Sequence, residues 1–450
     1  MEITAHSYAA DSSSVQEPPS SFRETLGHLG PSLILTAGVV GSGELIMTTT
    51  LGARAGFVTL WVVLLSCLLK VVVQLEFGKH AISTGETSLE AFNRLPGPAW
   101  RGTGWAVWMW LAIKTVQLVQ YAGIAGGVAL ALHLAMPWAP VWLWACAAGL
   151  CTAMLVFRGS YRAVERWAVG LTAAFTLFTL ACVVALQGTV YRITAGDLME
   201  GVSFRLPAAA AGVAVAVFGA TGVSADEIIS YPYWCLEKGY ARFAGAPSET
   251  ADWARRARGW IRVMYIDALF SLAIYTLSTA AFYVLGAAIL HGRGEIPAGY
   301  EMIRTLSGIY TESFGGWAMA VFIAGSVAVL FSTLFVACAS ATRMFTDAFA
   351  QCGLLDFREA ARRDRWIGGL SLSLPALWVI LFLAIGEPLI MILAGGVAVA
   401  LLLVIVIFAA WVFRYRRLDQ RLRPSRVYDA LLWLSFLAIA GVALKAAANL

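Results

Sequence analysis

The apolar positions of this chain fall in long unbroken blocks, not in the alternation of half-buried strands or the single stripe of surface helices. Taking about 20 apolar residues as one crossing of a bilayer, the blocks predict eleven helices. They lie at residues 30–52, 57–79, 104–135, 140–157, 165–187, 208–230, 262–290, 315–348, 366–386, 388–413 and 427–447. The fourth is short, and the third and eighth are long enough to tilt or protrude. Polar residues gather between the blocks and at the start of the chain. There Asp11-Ser12-Ser13-Ser14 and Glu17-Pro18-Pro19-Ser20 predict a disordered cytoplasmic tail over residues 1–27, with no cleavable signal peptide. The expected class is an all-α polytopic membrane protein. Composition agrees: of 450 residues 60% are hydrophobic and only 13% charged, which excludes a soluble domain.

Two blocks are interrupted. The first contains Gly38-Val39-Val40-Gly41-Ser42-Gly43-Glu44, and the sixth contains Gly219-Ala220-Thr221-Gly222-Val223-Ser224-Ala225 followed by Asp226-Glu227. Inside a bilayer, unwound backbone is tolerated only where protein or a watery cavity satisfies its polar groups. An intramembrane carboxylate is costly and points to function. Gly-broken segments at matching places in two halves of a chain are the pattern of a transporter's binding site. Helices 1–5 (residues 28–190) and 6–10 (205–415) are therefore expected to form two repeats of opposite topology, with an additional helix at 426–450. Beyond the breaks the halves show no sequence identity. A plainer role for the glycines, close helix packing, stays open.

Charge then fixes an expected orientation. Alternate loops carry Lys79, Arg94 and Arg101; Arg158, Arg162 and Arg166; Lys238, Arg242, Arg255, Arg256 and Arg258; Arg358, Arg362, Arg363 and Arg365; and Arg414, Arg416, Arg417, Arg421, Arg423 and Arg426. By the positive-inside rule the N-terminus is cytoplasmic and the C-terminus outside, in a multi-pass protein of the inner (plasma) membrane. The net charge of +5 thus reflects topology and not nucleic-acid binding. A short surface helix is expected around residues 251–258. The seven scattered cysteines form no CxxC pair and read as small core residues. No P-loop, nucleophile elbow or HExxH supports an enzyme.

Several stretches resemble the Nramp (natural resistance-associated macrophage protein) transporters. They are Gly30-Pro31 opening the first helix, Gly52-Ala53-Arg54-Ala55-Gly56-Phe57, Leu60-Trp61-Val62-Val63-Leu64-Leu65, Val217-Phe218-Gly219-Ala220-Thr221 and Asp267 opening the seventh helix. The resemblance runs over about residues 28–415. It implies the amino acid–polyamine–organocation superfamily fold, with inverted five-helix repeats and alternating access. The family's binding motifs differ here. Its Asp-Pro-Gly-Asn stands as Gly41-Ser42-Gly43-Glu44, and its Met-Pro-His-Asn as Val223-Ser224-Ala225-Asp226. Its third-helix acids, linked to proton movement, align with Gln117 and Gln120, with Lys114 one turn away. The chain resembles a divergent member.

Losing a thioether and an imidazole while gaining Glu44, Asp226 and Glu227 shifts the site toward the oxygen ligands of Mg²⁺, Ca²⁺ and Mn²⁺. The expected metal ligands are Glu44, Asp226 and the carbonyls of Gly41 and Gly222. Ser42, Gly43, Thr221, Ser224, Glu227, Gln117, Gln120 and Lys114 are expected along the substrate pathway. The expected activity is secondary transport of a divalent cation, Mg²⁺ or Mn²⁺, weakly or not proton-coupled. No cofactor is expected to bind tightly; the cation is substrate, lipid and cation are the partners, and a monomer suffices. Three alternatives stay open. Glu44 can be a structural acid bonded to opened backbone. Asp226 and Glu227 point about 100° apart on a helix, so one of them can pair with Lys70 or Lys114. And if those lysines line the cavity, an amino acid or other small organic solute fits the same scaffold. Arg343 and Asp347, four apart, are expected to pair; Asp267 is expected to cap the seventh helix or form an ion pair.

Overall fold

The computed structural model describes residues 14–158, 161–298 and 301–448. Tail residues 1–13 and the side chains of Arg162 and Arg166 lie outside the described residues. The chain begins with a short helix α1 (Phe22–His28) and the first crossing, α2 (Pro31–Val39), a π-helical turn (Gly43–Thr48) and α3 (Thr49–Ala55). It continues through α4 (Leu60–Thr84), a short α5 (Ser88–Asn93), a two-residue hairpin (β1, Ala99–Trp100; β2, Thr103–Gly104), α6 (Trp105–Ala135), α7 (Val141–Phe157) and α8 (Tyr161–Ala185). After α9 (Ala195–Gly201) comes the second broken crossing, α10 (Ala211–Ala220) and α11 (Ala225–Lys238), then α12 (Tyr240–Ala244) and α13 (Ala251–Leu285). The remainder is α14 (His291–Arg293), α15 (Met302–Phe314), α16 (Ala318–Gln351), α17 (Ala360–Ile385), α18 (Pro388–Val412) and α19 (Arg426–Ala448).

Among the described residues eight helical stretches are long and apolar enough to cross a membrane, and 141–157 and 172–188 are shorter apolar helices. The first of the eight, 43–84, holds two crossings joined by the 3-10 turn Gly56–Thr59, so the eleven expected segments are all present. The protein is an all-α membrane fold of two five-helix repeats, with the first and sixth crossings broken and one helix added. Its centre is where α6 packs against α16, α17 and α18, and α13 against α4, with α2 and α10 held between.

Four expectations change. The part of the tail that is described, from residue 14 on, is packed, because α11, α12 and α13 give its backbone partners. Tyr240 donates to the His28 carbonyl at 2.7 Å, Trp260 to that of Gln16 at 3.1 Å, and Lys238 to that of Leu29 at 3.0 Å. Residues 251–258 form no separate surface helix; Thr250 caps the start of a single helix that runs on to Leu285. Arg343 bonds Glu237 at 2.6 Å instead of Asp347, which accepts from Thr87 and Tyr233, each at 2.5 Å. Tertiary partners outcompete the i,i+4 neighbour. Asp267 does not cap its own helix, which begins far upstream at Thr250; its carboxylate accepts from Gly30 N at 2.9 Å and Ser32 N at 2.7 Å, at the N-terminus of α2.

Candidate functional site

The two breaks lie against each other: a Cβ on Gly43 would stand 3.1 Å from the carbonyl of Ala220. They are built differently. The first is short. Gly38 and Val39 are still helical, and only Val40-Gly41 unwind before the π-helical turn that begins at Gly43. Gly41 is obligatory because its Cβ would fall 1.6 Å from Thr333 Oγ1 of α16. Its carbonyl accepts from Leu45 N at 2.8 Å and so restarts the helix. The second break is wider, Thr221 to Ser224, and turns through Gly222 at φ +58°, a conformation L side chains rarely adopt. Ser224 closes it with a capping box: its hydroxyl accepts from Asp226 N at 3.2 Å, while Ser224 N donates to Glu227 Oε2 at 2.9 Å.

The acids beside the breaks have opposite surroundings. Glu44 is fully buried behind the first break and accepts from Gly41 N (3.1 Å), Gly222 N (3.3 Å) and Thr279 Oγ1 (3.2 Å). It ties the two unwound segments together through their backbone. Asp226 sits on the first turn of α11 and faces α6. Its Oδ2 accepts from Lys114 Nζ at 2.5 Å, from Gln117 Nε2 and from the Tyr121 hydroxyl. Its Oδ1 is buried and has no hydrogen-bond partner among the described residues. An unpartnered buried carboxylate oxygen is expensive, and such groups call for an occupant.

A narrow cavity of ≈ 40 Å³ lies between the breaks, α6 and α16. Of the residues expected along a pathway, it is lined by Ser42, Gly43, Gln117, Gln120, Ser224 and Glu227, and of the expected metal ligands by Asp226. Both adjacent acids reach it, although the Glu227 carboxylate is folded back on Ser224 N. Lys114 is buried behind the lining and holds Asp226; the pairing expected for one of the acids falls to Asp226, because α6 presents Lys114, Gln117 and Tyr121 on one face at i, i+3, i+7. Gly41, Gly222, Thr221 and Glu44 do not line the cavity. The Thr221 hydroxyl donates to the Val217 carbonyl at 2.8 Å, continuing the end of α10. Lys70 is far from pairing an acid: its ammonium bonds carbonyls at the C-terminal end of α10.

Sequence reading missed Tyr121, Thr279 and the α16 residues Thr333, Ser340 and Met344, all of which touch the cavity or Glu44. Tyr121 was within reach, since it completes the Lys114–Gln117 stripe. Thr333 and Thr279 carry no signal of their own in a polar-poor helix. Among the described residues no three His, Cys, Asp or Glu side chains gather to hold a metal ion. A cation here would take amide, hydroxyl and water oxygens beside one carboxylate.

The family model described as natural resistance-associated macrophage protein-like matches residues 32–448. The divalent metal cation transporter MntH of Bacillus subtilis is 26% identical over 185 residues, which is 40% of this chain and 40% of that relative's length. MntH of Nostoc is 22% identical over 446 residues, covering 95% and 92% of the two chains. In fold, the chain is similar to the Eremococcus coleocola manganese transporter in complex with an aromatic bis-isothiourea compound, with a TM-score of 0.69 at 16% identity over 96% of this chain and 88% of that one. It is also similar to Mhp1, a nucleobase-cation-symport-1 family transporter with bromovinylhydantoin bound, with a TM-score of 0.56 at 14% identity over 97% and 92%.

Proposed function

Because the chain belongs to the Nramp family, we propose that it is a secondary transporter that carries a divalent cation through the cavity between its two breaks by alternating access. The relatives named as divalent metal cation transporters support the substrate class. The likeness to Mhp1 supports the wider amino acid–polyamine–organocation superfamily. The observation that carries the reading is Asp226 Oδ1, buried at the cavity wall without a donor among the described residues.

The cation contacts Asp226 Oδ1, with the Gln117 and Gln120 amide oxygens and the Ser42 and Ser224 hydroxyls around it. Glu227 adds charge from the same wall. These are oxygen donors, and the one soft donor in the lining is Met344. A set of this kind prefers hard ions, and Mg²⁺ in particular keeps several waters and needs only one or two carboxylates. Glu44 is a clamp between the breaks and not a ligand, and the Gly41 carbonyl restarts its helix, so the ligand set is narrower than the sequence suggests. With glutamines at 117 and 120, α6 offers no acid there to relay protons, which favours weak or absent proton coupling. The positive loops support a cytoplasmic N-terminus, and our reading puts the protein in the inner (plasma) membrane.

Lys114 beside Asp226 also offers a charge pair that a zwitterion would match, and an amino acid is the second reading. The cavity disfavours it: sites for organic ligands are typically several hundred Å³, against ≈ 40 Å³ here. Uptake of Mg²⁺ and Mn²⁺ into proteoliposomes decides. Saturable flux of either ion, faster for Mg²⁺ and lost in Asp226→Asn, is the expected result. A folded protein that moves neither ion would overturn the metal reading.

A further inference from the structure

Lys70 lies on α4, fully buried, within the local run Cys67-Leu68-Leu69-Lys70-Val71-Val72-Val73. Its Nζ donates to the carbonyl oxygens of Phe218 at 2.7 Å, Gly219 at 3.3 Å and Thr221 at 2.6 Å, and lies 5.4 Å from the centre of the Phe218 ring. Ser66, one turn earlier on the same face, donates to the Phe218 and Thr221 carbonyls, each at 3.0 Å. Among the described residues no carboxylate bonds Lys70. Its partners are the last carbonyls of α10, which the break leaves without intrahelical donors and which carry the negative end of the helix dipole. Three backbone carbonyls converging on one point, with an aromatic face beside them, make a cation site.

We propose that this is a monovalent-cation site whose occupant is the protein's own ammonium, a tethered cation that cannot leave during transport. The inference does not depend on which solute crosses the cavity. An exchangeable ion bound at this helix end would link the break to an ion gradient. A tethered one holds the end of α10 charged and closed through the whole cycle, so the break carries no second coupling ion. Lys70 is a positioning residue in this account: it fixes Thr221 and Gly222, and through Gly222 N the Glu44 clamp.

Truncating the side chain should expose the site. In Lys70→Ala the thermal midpoint of the purified full chain falls by several degrees. n-Propylammonium, which replaces the missing alkyl chain and ammonium together, restores at least half of that fall, while n-propanol does not. Restoration by both, or by neither, overturns the proposal. Should Lys70→Ala fail to fold, the wild-type protein still decides. Its thermal midpoint and its solute flux stay unchanged when Na⁺ or K⁺ is replaced by a bulky organic cation at constant ionic strength. A saturable Na⁺ or K⁺ dependence of either would show an exchangeable ion in use and contradict a tethered one. Because the first readout is stability, it remains informative even if no divalent flux is found.

Discussion

Both breaks read alike in sequence, a glycine-rich interruption followed by an acid, yet the molecule uses them in opposite ways. At the first, only two residues unwind, and Glu44 turns inward to accept backbone N–H groups from both breaks. At the second, four residues unwind, and Asp226 turns toward a cavity with one carboxylate oxygen saturated and the other unpartnered. The difference follows from what each acid can reach. Glu44 sits in the π-helical turn that Gly43 opens, packed against α13, where Thr279 and the free amides of the break lie within 3.3 Å. Asp226 stands in the first turn of a capped helix facing α6, whose stripe supplies an ammonium, an amide and a phenol. A carboxylate beside a broken helix is thus either mortar or ligand, and its donors decide which.

The contrast can be broken most strongly at Lys114. Lys114→Met leaves the Asp226 carboxylate buried without its cation, and removing one partner of such a pair destabilises by about 3–5 kcal/mol. Added Mg²⁺ or Mn²⁺ should then raise the thermal midpoint of the variant more than that of the wild type, because the ion supplies the missing charge. A midpoint that ignores both ions would separate Asp226 from cation binding.

Asp226→Asn keeps the shape and removes the charge. Charge-assisted contacts are worth about 1.5–3 kcal/mol, so divalent uptake by the folded protein in proteoliposomes should fall roughly 10- to 100-fold, and the thermal midpoint should fall as well, because buried Lys114 loses its counter-charge. Unchanged uptake would leave the second break without its role.

Glu44→Ala should show the reverse. Leaving buried amide donors unpaired costs about 1–3 kcal/mol, read as a lower thermal midpoint, while the cation concentration for half-maximal uptake by the remaining folded protein stays near that of the wild type. A shifted half-saturation without a stability loss would make Glu44 a ligand after all. Smallest of the four is Ser224→Ala, which removes one side of the capping box at a cost of about 1 kcal/mol. It should lower the thermal midpoint and speed amide hydrogen exchange only in the first turn of α11, with α2 unaffected.

Much of the fold was legible. The hydrophobic blocks marked the eleven crossings, since bilayer thickness sets a length that a sequence must meet, and glycine with serine marked both breaks. What the blocks could not show was the width of each break. Gly38 and Gly43 read as unwound, but Gly38 closes the end of α2 and Gly43 opens a π-turn. Glycine permits either outcome, and packing chose, with Val336 against Gly38 and the Ala220 carbonyl against Gly43. Of the site, Asp226, Glu227, Gln117 and Gln120 reach the cavity from positions where sequence placed a ligand or pathway residues, whereas Glu44 and the glycine carbonyls do not. The choice depends on side-chain partners brought together from helices more than 100 residues apart, such as Lys114 for Asp226 and Thr279 for Glu44. Periodicity within one helix, which did align Lys114, Gln117 and Tyr121, carries no information about the helix they will face. The tail shows the same limit: its composition reads as disorder, and Tyr240, Trp260 and Lys238, remote in sequence, give residues 16–29 their order.

The most direct test of the two-break account is Mn²⁺ affinity of the purified protein, measured by calorimetry for the wild type, Asp226→Asn and Glu44→Gln. The account predicts a loss of roughly tenfold or more in Asp226→Asn, about 1.4 kcal/mol, with Glu44→Gln close to the wild type. Full affinity in Asp226→Asn together with its loss in Glu44→Gln would reverse the roles assigned to the two breaks.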